Sequence, residues 1–451
     1  MKNRSFFLIG STTYFALTIL AILFYLERTA FVDISFHLFY IIKDENFAIQ
    51  NFRFGSILTQ AFPLVAAHLS LPLKYIMLIY STGFAVVYWV HFNIQFRLGY
   101  KYGLVMLMLS ILMVNDTFYW VQSELPQGLA LLTLLLAFIS FSSHQQKKPF
   151  TFYPIFTILT FTTAFMHPLL LFPFLFGVTF LFCRREINLN LFLGSLVSYL
   201  GFFVIKTFFF ATAYDSQSME GADNIFTLFP NYFTLESNVE FLRYLFYDYY
   251  LLLMGLISVS VFYLYNRKTL LFFSVLLFFI GYTMLVNVSY PSGGAQFYME
   301  NLYLPLTIFI AYPLVFDVFP AIKGKYLIGI LILVCIIRVA HIYMASAPFT
   351  ERANYLLELI ETGPQNKVVR SATEAEKEIL QMSWGTPYEI WLLSTLKTGK
   401  TRSILITPNP GKLRWAKSHN RSFLTPWGAF GYETLPDRYF NFSDTSQYVF
   451  Q

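Results

Sequence analysis

The chain has 451 residues, 56% of them hydrophobic and 12% charged, with a formal net charge of +6 and a mean hydropathy of +0.55. Soluble globular domains carry about a quarter charged residues, so this composition describes a polytopic membrane protein and excludes an ordinary soluble enzyme. The positive charge lies in short loops between apolar segments, which removes nucleic acid as its explanation.

A bilayer-spanning helix needs about 20 mostly apolar residues. Residues 5–26 satisfy this directly after Lys2 and Arg4, and with no A-x-A exit they read as a signal anchor. The stretch 27–73 is polar to amphipathic. Its apolar part, 55–72, is short and carries Pro63 and Pro72, so an interfacial or re-entrant segment is expected there. Spans are expected at 74–95, 102–115 and 125–143. Residues 150–183 are too long for one helix and too short for two full ones. They predict a hairpin of two short spans turning at His167-Pro168, because proline breaks the helical ladder and disfavours helix before it. Further spans are expected at 190–212, 242–265, 269–288, 301–319 and 326–346, for about eleven in all.

Basic residues recur at alternate loops: Lys2/Arg4, Arg97/Lys101, Lys147/Lys148, Arg184/Arg185, Arg267/Lys268 and Lys323/Lys325. Short basic loops stay cytoplasmic, which predicts a cytoplasmic N-terminus and an outer C-terminus. After residue 346 the composition changes: residues 347–451 hold 22 charged residues, against 34 in the three-fold longer stretch before them. Helices are expected at 350–362, 373–382 and 387–397, and a buried strand at Ser403–Thr407. The fold class is therefore an all-α polytopic membrane domain, 1–346, followed by a small α/β extracytoplasmic domain, 347–451.

The outer loops hold the residues able to do chemistry. Asp33 and His37, four apart, share a helix face; they form the wet face of an interfacial helix, or Asp33 acts as a general base on an acceptor hydroxyl or as a metal ligand. Asp116 and Glu124 bracket the second outer loop, where Glu124 also suits a helix N-terminus. His167, at the hairpin apex, is either a structural turn or a ligand for phosphate or sugar hydroxyls. Lys206 and Arg338 lie inside apolar spans, where charges either snorkel or serve function. Arg243 flanks another span beside Glu240. The loop 289–300 supplies Gln296 and Glu300, with Gly293-Gly294 giving it backbone freedom. No phosphate loop, dinucleotide fingerprint, H-E-x-x-H or nucleophile elbow occurs.

A long first outer loop with an acid at Asp33, a second acid at Asp116 or Glu124, short spans with the apex Met166-His167-Pro168, and an outer tail together resemble the GT-C superfamily of membrane glycosyltransferases. The resemblance is one of architecture over most of residues 1–346; the family's frequent paired acids are absent around Asp33. It implies a polyprenyl-phosphate-linked sugar as donor, an envelope glycan, lipid or protein as acceptor, and a multi-pass protein of the inner membrane. Under it Asp33, Asp116 and Glu124 are the catalytic candidates. His37, His167, Lys206, Arg243, Gln296, Glu300 and Arg338 are the substrate-binding ones. No cofactor is required by the pattern, and a divalent metal is compatible with it. Two other readings remain open: a non-catalytic subunit of an envelope-polysaccharide or secretion assembly, and a transporter of a lipid-linked substrate.

Overall fold

A computed structural model describes residues 2–212 and 225–451. Helix α1, Lys2–Leu23, is a single apolar helix, followed by the short α2, Tyr25–Thr29. The first outer connection then folds as α3, Val32–Asp44, and α4, Ile57–His68. At 1.5 Å per residue α4 is about 18 Å long, too short to cross a hydrocarbon core of about 30 Å. It contains Pro63, in keeping with a segment that does not span. Helices α5, Leu73–Leu98, and α6, Tyr100–Ile111, form the next pair, and α7, Glu124–Ser143, follows. The hairpin at His167 is present: α8, Phe152–Met166, and α9, Leu171–Cys183, meet at a 3₁₀ turn over Pro168–Leu170. Helix α10 covers Leu189–Phe209.

Two later spans are broken. Helices α11, Glu236–Tyr247, and α12, Tyr250–Tyr265, bend by 86° at Asp248-Tyr249. Beyond α13, Thr269–Ser289, the helices α14, Gln296–Tyr303, and α15, starting at Leu306, bend by 45° beside Pro305, which has no N–H to donate. Helix α16, Gly324–Met344, is the last long apolar helix. Among the described residues, six helices are long and apolar enough to cross a bilayer, or eight if each bent pair is one span. The expected count of eleven is thus not reached by full-length helices. The other three, Tyr100–Ile111, Phe152–Met166 and Pro168–Cys183, are apolar but short, because the sequence spends too few residues between their turns.

The basic clusters gather at one end of the bundle. Phe6 stacks on Tyr100 with ring centroids 6.1 Å apart, and Lys101 Nζ lies 4.8 Å from the Phe316 ring. Asp317, almost wholly buried, receives Arg184 Nη1 at 2.6 Å, Lys268 Nζ at 2.9 Å and the Tyr263 hydroxyl at 2.8 Å. The Asn188 N–H donates to Ser143 Oγ at 3.2 Å. Loops separated by more than a hundred residues thus meet at the end where the charge pattern put them. The acidic loops meet at the opposite end.

The C-terminal region comprises α17, Ala347–Thr362, strand β1, Lys367–Arg370, α18, Glu374–Leu380, α19, Thr386–Thr398, and β2, Ser403–Ile406. A hairpin of β3, Ser422–Thr425, and β4, Gly428–Gly431, follows, and β5, Val449–Phe450, ends the chain. β1 pairs in parallel with both β2 and β5, with Val368 opposite Ile404 and Val449. Parallel neighbours need a crossover, and α18 and α19 provide it between β1 and β2.

This region packs on the outer connection. Phe39 of α3 sits among Tyr388, Trp391, Phe423 and Phe440, with ring centroids 5.1–5.6 Å away. Each such aromatic pair adds about 0.5–1.5 kcal/mol to simple burial. One hydrophobic core runs through both parts of the chain.

Candidate functional site

Asp33 lies in the first turn of α3, one residue after a strained position. Val32 has φ +31°, a left-handed value that a β-branched residue rarely adopts. Such strain costs of order 1–3 kcal/mol and persists only where surroundings impose it. Here the Val32 N–H donates to Glu389 Oε1 at 2.8 Å, and a Cβ at Gly385 would meet Val32 Cα at 2.7 Å. Glu389, wholly buried, is itself held by Arg352 through Nε at 2.9 Å and Nη2 at 2.8 Å. The C-terminal region therefore fixes the turn that aims Asp33.

The Trp120 indole N–H donates to Asp33 Oδ2 at 2.7 Å. Burial and the negative charge of Glu124 push the Asp33 carboxyl up to about 7. The Trp120 bond and the Arg53 guanidinium oppose this. Glu124 is ion-paired with Arg53 at 2.7 Å, both side chains largely buried. Burial, together with the Arg53 and Lys206 charges, holds the His167 imidazole well below its usual range. Its Nδ1 accepts from the Leu169 N–H at 3.2 Å, so the neutral ring carries its proton on Nε2. Lys206 Nζ donates to the Phe165 carbonyl at 3.0 Å. Asp33, Glu124, Arg53, His167 and Lys206 thus belong to one electrostatic group at the loop-rich end.

His37, wholly enclosed, spends its ring on the loop beyond α3. Its Nδ1 donates to the Ala48 carbonyl at 3.0 Å, and Gln60 clasps the same residue, donating to the Ala48 carbonyl at 3.1 Å and accepting from its N–H at 2.8 Å. Burial lowers the His37 imidazole below its ordinary value. It pins the loop between α3 and α4, and the Glu124 and Arg53 charges that act on Asp33 act on it as well.

Asp116 is separated from Asp33 by the Trp120–Phe297 ring pair, whose centroids are 5.0 Å apart. It lines a cavity of about 370 Å³ with Asp248, Gln296, His341 and Gln381. Burial, then the Glu300 and Asp248 charges, raise the Asp116 carboxyl well above its normal range. The three acids singled out from the sequence therefore divide: Asp33 with Glu124, and Asp116 apart.

Glu300, expected to bind substrate, is wholly buried. It accepts the N–H groups of Asn115, Asp116 and Thr117 at 2.8, 3.1 and 2.9 Å and the Thr117 hydroxyl at 2.6 Å. It caps the turn of the second outer loop instead. Arg338, expected to hold phosphate, spends its donors on the carbonyls of Ile111, Leu112 and Asp248 at 2.9, 3.1 and 3.2 Å. It ties α16 to α6 and to the bend after α11. Arg243 is exposed, 5.4 Å from the Tyr244 ring. Among the described residues, no three His, Cys, Asp or Glu side chains are grouped so as to hold a metal ion.

Four residues escaped the sequence reading. Trp120 is the direct partner of Asp33, yet an aromatic in an outer loop carries no signal of that. Arg28 is buried, donates to Ser81 and to the Phe118 carbonyl, and lies 3.9 Å over the Phe118 ring. Only its place beside a span end hinted at it. Arg352 and Glu389 lie 37 residues apart in an unremarkable polar pattern. Neither family models, curated proteins nor solved structures yield a match to this chain.

Proposed function

We propose that the chain is a membrane glycosyltransferase of GT-C type. It moves a sugar from a polyprenyl-phosphate donor to an acceptor at the outer face of the inner membrane, with its N-terminus cytoplasmic and its C-terminal region outside. The observation that carries this reading is the Asp33 carboxyl, pushed up to about 7 in the same electrostatic group as the Arg53 and Lys206 cations and the neutral His167. A general base works best when its pKa lies near the operating pH. Basic groups at the same depth suit a departing phosphate.

In the proposed reaction the Asp33 carboxylate takes the acceptor hydroxyl proton. The acceptor oxygen attacks the anomeric carbon, and the bond from that carbon to the phosphate oxygen breaks. Polyprenyl phosphate leaves with the electron pair, its charge stabilised by the Lys206 ammonium, and Asp33 returns its proton to water. Glu124 tunes Asp33 and holds Arg53. Arg338 and Glu300 take no part in this scheme.

The test is a glycan profile of the envelope from cells carrying Asp33→Asn against wild type, with equal amounts of folded protein. Loss of a general base costs about 10²–10⁴-fold, so one sugar modification should vanish. An unchanged profile would favour a transporter or a non-catalytic assembly subunit.

A further inference from the structure

Helices α1 and α16 enclose an apolar groove of about 820 Å³ on the surface of the helical bundle. Its walls include Leu8 and Leu20 of α1 and Ile332 and Ile336 of α16, with the small residues Ala16 and Ala340 opening its floor. Leu8 to Leu20 rises about 18 Å along the helix, close to one leaflet of a hydrocarbon core about 30 Å thick. The groove therefore matches one lipid chain of one leaflet.

The groove does not end blindly. Met344, at the end of α16, lines both the groove and the polar cavity that holds Asp116. That cavity, about 370 Å³, is within the size range of small-ligand sites, roughly 300–1,000 Å³. Its polar wall is made of Asp116, Asp248, Gln296, His341 and Gln381. The one guanidinium that borders it, Arg352, is engaged by Glu389 and by the Leu380 and Met382 carbonyls. His341 Nε2 stands 3.9 Å from Asp248 Oδ1. These carboxyl and amide groups offer hydrogen bonds to hydroxyls, while Arg352, its donors already engaged, is not available to a phosphate.

We propose that the groove and cavity form one binding site for a lipid with an uncharged, hydroxyl-bearing head group, its chain between α1 and α16 and its head against Asp248, Gln296 and Gln381. This site stands apart from the Asp33 group, across the Trp120–Phe297 wall, and does not depend on the transfer reaction.

The test uses the full chain in phosphatidylcholine nanodiscs doped with monoglucosyl diacylglycerol carrying a diazirine in one acyl chain. After illumination, adducts are mapped by mass spectrometry. They should concentrate in residues 8–20 and 332–344, above the exposed face of α13 around Leu277 and Ile280. Unlabelled monoglucosyl diacylglycerol should compete and phosphatidic acid should not. Ile336→Trp, which fills the groove, should reduce adducts there to the α13 level, whereas Leu277→Trp should leave them unchanged. Asp248→Ala with Gln381→Ala removes head-group contacts without touching the groove and should weaken competition by at least about tenfold, the size of one net hydrogen bond. Equal labelling of α13 and the groove, equal competition by phosphatidic acid, or indifference to both sets of substitutions in folded protein would overturn the proposal.

Discussion

Glu389→Gln should loosen the turn that carries Asp33. The Glu389 carboxylate holds both Arg352, 2% exposed, and the Val32 N–H. Glutamine leaves the Arg352 charge buried without its counter-charge, and removing one partner of a buried pair costs about 3–5 kcal/mol. Glutamine keeps one carbonyl oxygen, which can serve either Val32 or Arg352, so a value near the lower end is expected. The strained Val32 backbone is imposed by this contact, and relaxing it recovers of order 1–3 kcal/mol, which favours release of the turn. An opening penalty lowered by about 3 kcal/mol raises the open population more than a hundredfold. Hydrogen exchange resolved by mass spectrometry reads this directly. Amides of 32–36 and 386–392 should exchange far faster in Glu389→Gln, while those of α7 remain protected. The double substitution Arg352→Met with Glu389→Leu removes both charges and should restore much of the protection at 386–392, since apolar replacements of buried pairs are often neutral or stabilising. Unchanged exchange at 32–36 in Glu389→Gln would refute the claim that the C-terminal region holds Asp33.

Glu300→Ala should leave three buried N–H groups and one hydroxyl of the second outer loop without their acceptor. At about 1–3 kcal/mol for each unsatisfied group, a loss of at least about 3 kcal/mol is expected, read as a lower thermal midpoint in detergent. Gly293→Val should expose the loop before α14 to protease, because Gly293 has φ +71°, a conformation that a β-branched residue rarely adopts. A C-terminal alkaline phosphatase fusion should be active and a cytoplasm-dependent reporter silent; the reverse would place the loop-rich end inside.

Charge placement made much of the bundle readable in advance. Lys101, Arg184 and Lys268, marked by their loops alone, do converge at one end, because a hairpin of apolar helices must return alternate loops to the same side. The hairpin at His167-Pro168 and the strand from Ser403 were legible for equally local reasons, a helix-breaking proline and an apolar run bounded by turn residues. Span count was not legible. Lengths of 12 and 15 residues for α6 and α8 follow from where turns close, and the 86° bend at Asp248, whose carbonyl accepts from Arg338, carries no sequence signal. Site assignments failed where tertiary hydrogen bonds decide the role. Nothing near Glu300 in sequence says that its acceptors are the N–H groups of residues 115–117, some 180 positions earlier. Asp33 and Glu124 were candidates by depth, but the Arg53 that pairs with Glu124 and opposes its effect on Asp33 was not among them, and the separation of Asp116 depends on the wall formed by Trp120 and Phe297.

The proposed base makes its sharpest claim in the pH dependence of sugar incorporation by washed membranes. Asp33 must be ionised to accept a proton, and its carboxyl sits at about 7, so incorporation should rise with pH through that value. Glu124→Gln removes a charge that raises Asp33 and should move the rise to lower pH. Trp120→Phe removes a hydrogen bond to the ionised form and should move it to higher pH. Asp33→Asn should lower incorporation about 10²–10⁴-fold and leave no such rise. Incorporation that survives Asp33→Asn with the same pH profile would contradict the account.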